Sequence, residues 1–125
     1  MIFQQIRNKV KPGTRLPRTN YAVKGLGKRR GEAALIYCIP NKIAPGKHYE
    51  KGVTESEFER AYAQLVGAGD FSRTWFNENL SSATDSPCSF MVIGKIFLLL
   101  GIADYERGRF TRRANPSERK TECRS

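Results

Sequence analysis

Residues 90–103 read Phe-Met-Val-Ile-Gly-Lys-Ile-Phe-Leu-Leu-Leu-Gly-Ile-Ala, an apolar run broken by one charge, Lys95. Such a run has to leave water, and it limits the architectures open to the chain. A bilayer span needs about 20 apolar residues, so this segment is too short to cross and is expected to be a buried helix. It is apolar nearly all round, which predicts a core helix over residues 90–100. Gly94 in its interior costs about 1 kcal/mol relative to alanine, and close approach by another element is the expected reason. Pro87 suits the first helical position, with Asp85 or Ser86 as cap, and Gly101 ends the helix.

The chain has 125 residues, which fits one domain with its own core. Residues 1–20 alternate apolar and basic positions and carry Pro12, Gly13 and Pro17; they read as a basic, mostly extended N-terminal arm. Residues 21–24 and 32–39 read as two strands of a hairpin, its glycine-rich basic tip spanning residues 25–31. Residues 41–51 read as a loop. Thr54-x-x-Glu57 is a capping box, and Phe58, Ala61, Tyr62, Leu65 and Val66 then recur at helical spacing. Ser72 caps a second, shorter helix, with Phe71 and Phe76 placed as a hydrophobic staple. Trp75, Phe76 and Leu80 are expected to face the core, and Arg73, Thr74, Asn77 and Glu78 to face outward. After the core helix, residues 102–105 and 110–113 form a second hairpin around Glu106-Arg107-Gly108-Arg109. Residues 114–125 are expected to be a polar, disordered tail. The predicted fold is α+β: a three-helix core flanked by β-hairpins, a single domain over residues 21–113.

Charge points to the partner. Lys plus Arg number 22 against 12 Asp plus Glu, a formal net charge of +10. The surplus is uneven. Residues 1–31 hold Arg7, Lys9, Lys11, Arg15, Arg18, Lys24, Lys28, Arg29 and Arg30 and no acid, while residues 50–85 are acidic and the end turns basic again. Such a distribution draws polyanions. Lys28-Arg29-Arg30 crown the first hairpin, with Tyr21 and Tyr37 flanking it as candidate stacking or core residues. Arg107, Arg109, Arg112 and Arg113 crowd the second. Phosphate neutralisation by such clusters gives salt-sensitive affinity, whereas protection of a sheet edge is the competing account.

The segment 54–113 resembles a winged helix-turn-helix. The resemblance rests on two capped helices joined through Gly67-Ala68-Gly69-Asp70, a third helix closing with Leu99-Leu100-Gly101, and a hairpin bearing Arg107-Gly108-Arg109. It implies a helix laid in the major groove and a basic wing on the backbone or minor groove. The third helix offers Met91, Lys95, Leu98 and Ile102 outward, a surface suited to protein rather than bases. Arg73 and Asn77 on the second helix, one turn apart, are better equipped for guanine and adenine edges.

Catalytic readings are weaker. His48 is the one histidine, and no His/Cys cluster has metal-ligand spacing. Gly25-Leu26-Gly27-Lys28 lacks the length and the Ser/Thr of a phosphate-binding P-loop. Cys38, Cys88 and Cys123 fit free thiols in a reducing compartment. The expectation is a non-enzymatic, cytoplasmic protein without cofactor or membrane, binding nucleic acid, with DNA preferred. The alternative is an adaptor that meets an acidic protein, or a homodimer formed through the apolar third helix.

Overall fold

The computed structural model describes residues 1–40, 48–80 and 88–113. The chain is α+β, with helices α1 (Ile2–Lys9), α2 (Glu55–Ala68), α3 (Arg73–Asn79) and α4 (Ser89–Leu99). Strands β1 (Ala22–Arg29), β2 (Glu32–Pro40) and β3 (His48–Thr54) form one antiparallel sheet in that order. Strands β4 (Asp70–Ser72), β5 (Ala103–Glu106) and β6 (Arg109–Arg112) form a second, ordered β4-β6-β5. Both sheets and all four helices contribute to one core.

Residues 2–9 correct the expectation of an extended arm. Ile2, Phe3 and Ile6 occupy one side of α1 and are buried, while Gln4, Gln5, Arg7, Asn8 and Lys9 are exposed. The spacing is helical, and Pro12 and Gly13 interrupt only after the helix has ended. Arg7 and Lys9 in the last turn suit its negative end. The Phe3 backbone N–H donates to Glu59 Oε2 on α2 at 3.0 Å, which satisfies one of the N-terminal donors that a helix leaves without partner. Val10 and Leu16 continue into the same core, so residues 1–20 pack with the body of the fold.

The first hairpin is longer than its sequence pattern suggests, and Gly25, Leu26 and Gly27 lie within β1. Its tip is Arg30-Gly31, both with positive φ (51° and 80°), the type I′ pattern that matches strand twist. β3 replaces part of the expected loop over residues 41–51. Only Gly52, Val53 and Thr54 at its end are buried, so it lacks an alternating signature; it is a strand because β2 offers a complete row of backbone partners from Ala34↔Thr54 to Pro40↔His48.

Thr54 and Glu57 form the capping box of α2, and Ser72 Oγ accepts from the Trp75 N–H at 3.1 Å to cap α3. β4 between these helices has three residues, and it pairs with β6. Phe71 of β4 and Phe110 of β6 meet in register, and their rings join Phe90 and Phe97 of α4. Gly94 of α4 is where Phe110 comes closest: a Cβ there would stand 2.0 Å from Phe110 Cε2. α4 starts at Ser89, and the proposed caps Asp85, Ser86 and Pro87 lie outside the described residues, as does the tail over 114–125. The apolar surface of α4 is covered within one chain. Phe90, Val92, Ile93, Ile96 and Phe97 are buried, and Leu99 is its one large apolar residue above a third exposed.

Candidate nucleic-acid interface

The two arginine-bearing hairpins stand at different ends of α2. Arg30, at the tip of the first, pairs with Glu57 in the first turn of α2. Arg109 of the second donates to Asp70, the residue after the α2 C-cap, at 2.9 Å. A helix of this length spans about 20 Å at 1.5 Å per residue, so the clusters are well separated where their anchors hold them. Within the first cluster Arg30 serves the fold. The half-buried Arg29 runs across Gly52 and donates to the Lys28 carbonyl at 2.9 Å. Lys28 is exposed, and Lys24 pairs with Glu50 at 2.6 Å.

In the second hairpin, Arg109 and Arg113 face carboxylates. Arg109 meets Asp70, and Arg113 Nη2 reaches Asp104 Oδ1 at 2.5 Å. These residues share the solvent side of the β4-β6-β5 sheet, opposite Phe71, Phe110 and Tyr105. Arg107 and Arg112 are exposed and form no ion pair with any described residue. Arg107 occupies the first turn position with φ 49°, followed by Gly108 at 84°. A side chain there is held in the left-handed region, where Asn or Gly would be less strained.

Arg73 is exposed at the start of α3, its guanidinium 4.6 Å from the Phe90 ring centroid and 5.8 Å from that of Phe76. Asn77 is exposed one turn on. Arg73 also lines a cavity of about 350 Å³ together with Arg18, Thr19, Asn20, Tyr21, Cys88 and Met91. The loop that brings Arg18 there turns through Pro17-Arg18, closed by the Thr19 N–H donating to the Leu16 carbonyl at 3.2 Å, with Arg18 at φ 56°. Tyr21 stacks on the buried Tyr37 (centroids 6.1 Å apart) and donates to Cys88 Sγ at 3.3 Å. That hydrogen bond, then burial, push the Tyr21 hydroxyl up to about 12, so it stays a protonated donor.

Lys95 corrects the expectation of an outward, solvated position on the third helix. It is 6% exposed, with no carboxylate paired to it among the described residues. Its Nζ lies 5.4 Å from the Tyr105 ring centroid. Burial, and after it the positive charge of Arg18, hold its ammonium below the ordinary value of 10.5. The unfolded chain therefore binds more protons than the folded one between that lowered value and 10.5. Stability rises with pH across this window and is lowest below it. Lys95→Met is expected to raise the melting temperature at pH 7 and to remove the alkaline rise, as followed in thermal melts from pH 7 to 10.5. A lower midpoint at pH 7 would show that the ammonium is compensated.

Lys95 thus links Arg18 at the cavity to Tyr105, two residues before the Arg107 turn. Arg18, Lys95 and Tyr105 were not singled out from sequence as binding residues. Arg18 and Lys95 looked like ordinary members of the basic surplus, and the contacts that distinguish them are made by residues distant in the chain. Among the described residues no group of three His, Cys, Asp or Glu could hold a metal, and no helix is long and apolar enough to cross a membrane. No family model, characterised protein or solved structure matches the chain.

Proposed function

We propose that this protein is a nucleic-acid-binding module, preferring DNA, that grips phosphates without catalysing a reaction. The observation that carries the reading is Lys95. An ammonium sunk into an apolar helix, beside Arg18 and away from any described carboxylate, costs stability in the absence of a ligand. A polyanion supplies the missing countercharge. Arg18 and Arg73 on one side of Lys95, and Arg107 and Arg112 on the other, extend the positive surface along the second hairpin. Lys28, Arg29 and Arg30, at the far end of α2, are peripheral to it.

The winged-helix reading belongs to this proposal. It is supported by the order α2-β4-α3-α4-β5-β6, in which the strand between the first two helices joins the hairpin and ties helices and wing into one unit. α4 is too deeply buried to lie in a major groove, so contact falls to the wing and to the exposed face of α3 with Arg73 and Asn77. Few base edges are reached, and binding is governed by phosphate contacts.

Fluorescence anisotropy with a short duplex, over a salt series, tests the reading. Affinity is expected to fall steeply with salt. Arg107→Asn, which keeps a residue tolerant of the left-handed turn, and Arg112→Ala should each weaken binding several-fold and reduce the log–log salt slope by about 0.9 per lost phosphate contact. Arg109→Ala and Arg113→Ala, whose charges are offset by Asp70 and Asp104, should have smaller effects on the slope. Absence of binding to any nucleic acid at low salt would overturn the proposal in favour of an acidic protein partner.

A further inference from the structure

We propose that the cavity between the 16–21 loop and the start of α4 is a binding site for one phosphomonoester attached to a planar ring, as in a nucleoside monophosphate or a phosphorylated nucleic-acid 5′ end. The inference rests on the nucleic-acid reading for the class of ligand, and on the cavity itself for the site. Its volume, about 350 Å³, falls at the lower end of the range for small-ligand pockets. Two guanidiniums, Arg18 and Arg73, line it, and its described lining contains no carboxylate. Thr19, Asn20 and the Tyr21 hydroxyl add polar groups suited to phosphate and sugar oxygens.

The walls are shaped for more than a bare anion. Tyr21 is backed by Tyr37 and fixed by its bond to Cys88, so its ring is a rigid flank. Met91 supplies an adaptable apolar surface beside it. Arg73 is seated on Phe90, which holds its planar guanidinium in place at little entropic cost on binding. Arg18 is carried at φ 56°, a backbone state that a long side chain rarely adopts. Strain of this kind persists where the surrounding structure imposes it, and it concentrates at binding sites. The turn itself would be easier with Asn or Gly, so its geometry does not explain the arginine. Arg18 forms no ion pair with any described residue, and its charge adds to that of Lys95. Two cations with the same unmet need for countercharge therefore meet at this end of the cavity.

The test is isothermal titration calorimetry of the full chain with AMP, adenosine, and a single-stranded oligonucleotide with either a 5′-phosphate or a 5′-hydroxyl. AMP is expected to bind at least ten-fold more tightly than adenosine. Arg18→Asn, which suits the left-handed turn and so should fold at least as well, is expected to weaken AMP binding ten-fold or more. Arg60→Gln, an equal loss of charge on the exposed side of α2, should leave it unchanged. A ten-fold advantage of the 5′-phosphate oligonucleotide supports the site with a strand end as ligand. AMP binding without that advantage supports it with the free nucleotide as ligand. Equal affinity for AMP and adenosine, no binding of AMP, or an Arg18→Asn variant that melts normally and keeps its AMP affinity would each overturn the proposal. Failure with AMP while a 5′-hydroxyl duplex still binds in a salt-sensitive way removes the pocket alone; AMP binding without duplex binding removes the broader reading alone.

Discussion

Gly94→Ala is expected to destabilise the protein by about 3 kcal/mol, although alanine is the better helix former. In an open helix the change would gain about 1 kcal/mol. Here the added Cβ would lie 2.0, 2.2 and 2.4 Å from three atoms of the Phe110 ring. Such overlap has to be relieved by moving either the ring or α4. The ring is fully buried, with Phe90, Tyr105 and Phe71 at centroid distances of 5.5, 5.1 and 6.3 Å. Moving α4 instead would disturb Val92, Ile93, Ile96 and Phe97, all buried. Overpacking a tight core typically costs about 1–3 kcal/mol and occasionally more, and this site has little room to relax. Chemical denaturation of four proteins provides the check: the parent, Gly94→Ala, Phe110→Ala and the double variant. Phe110→Ala alone should cost about 3–5 kcal/mol. In its background, Gly94→Ala should become neutral or stabilising, because the space it needs is then empty. If Gly94→Ala costs the same in both backgrounds, the clash is not with Phe110. The consequence for function is direct, since Phe110 sets the position of the hairpin that carries Arg107.

That close approach was legible in the sequence, because a glycine inside an otherwise apolar helix needs a physical reason and few reasons exist. Thr54, Glu57 and Ser72 were legible as caps for the same kind of cause: the chemistry of a helix end is local. The second hairpin showed itself through Arg107-Gly108. What escaped were elements whose conformation is decided by partners. β4 is three residues long, too short for any period to show, and exists because β6 lies beside it. β3 takes its form from β2. α1 was obscured by basic residues scattered between its apolar positions, which imitate alternation until the buried set Ile2, Phe3 and Ile6 is known. The candidate site was legible in its charge and not in its layout. Arg107 and Arg112 stand exposed as expected, whereas the shared cavity of Arg18 and Arg73 depends on two segments over fifty residues apart in the chain. Lys95 looked solvated because helical spacing alone cannot tell which side of an all-apolar helix meets water.

Arg30→Ala is expected to cost about 3 kcal/mol of stability while leaving the salt slope of nucleic-acid binding nearly unchanged. The Arg30 side chain is 37% exposed, but its partner is not: the Glu57 side chain is 3% exposed. Glu57 Oε1 accepts from the Thr54 N–H at 3.1 Å and the Thr54 hydroxyl at 3.0 Å, and pairs with Arg30. Its Oε2 is buried without a hydrogen-bond partner among the described residues. Removing Arg30 leaves a buried carboxylate supported at Oε1 by neutral donors. Breaking a buried pair from one side typically costs about 3–5 kcal/mol, most of it the penalty of the stranded charge; partial access of solvent to the Arg30 side places the expectation at the low end. Glu57→Gln removes that charge and keeps an oxygen for Thr54, so adding it to Arg30→Ala should recover part of the loss. Additive losses in the double variant would show that the pair is not coupled. Arg30 and Arg107 occupy the same place in the same kind of turn, each followed by glycine and each at φ near 50°. The difference lies in what the fold puts opposite them. A buried glutamate makes the first a strut between the β1–β2 hairpin and α2, and the lack of a described acid partner leaves the second available to a phosphate. Stability and salt slope, measured on both variants, should therefore respond in opposite proportions.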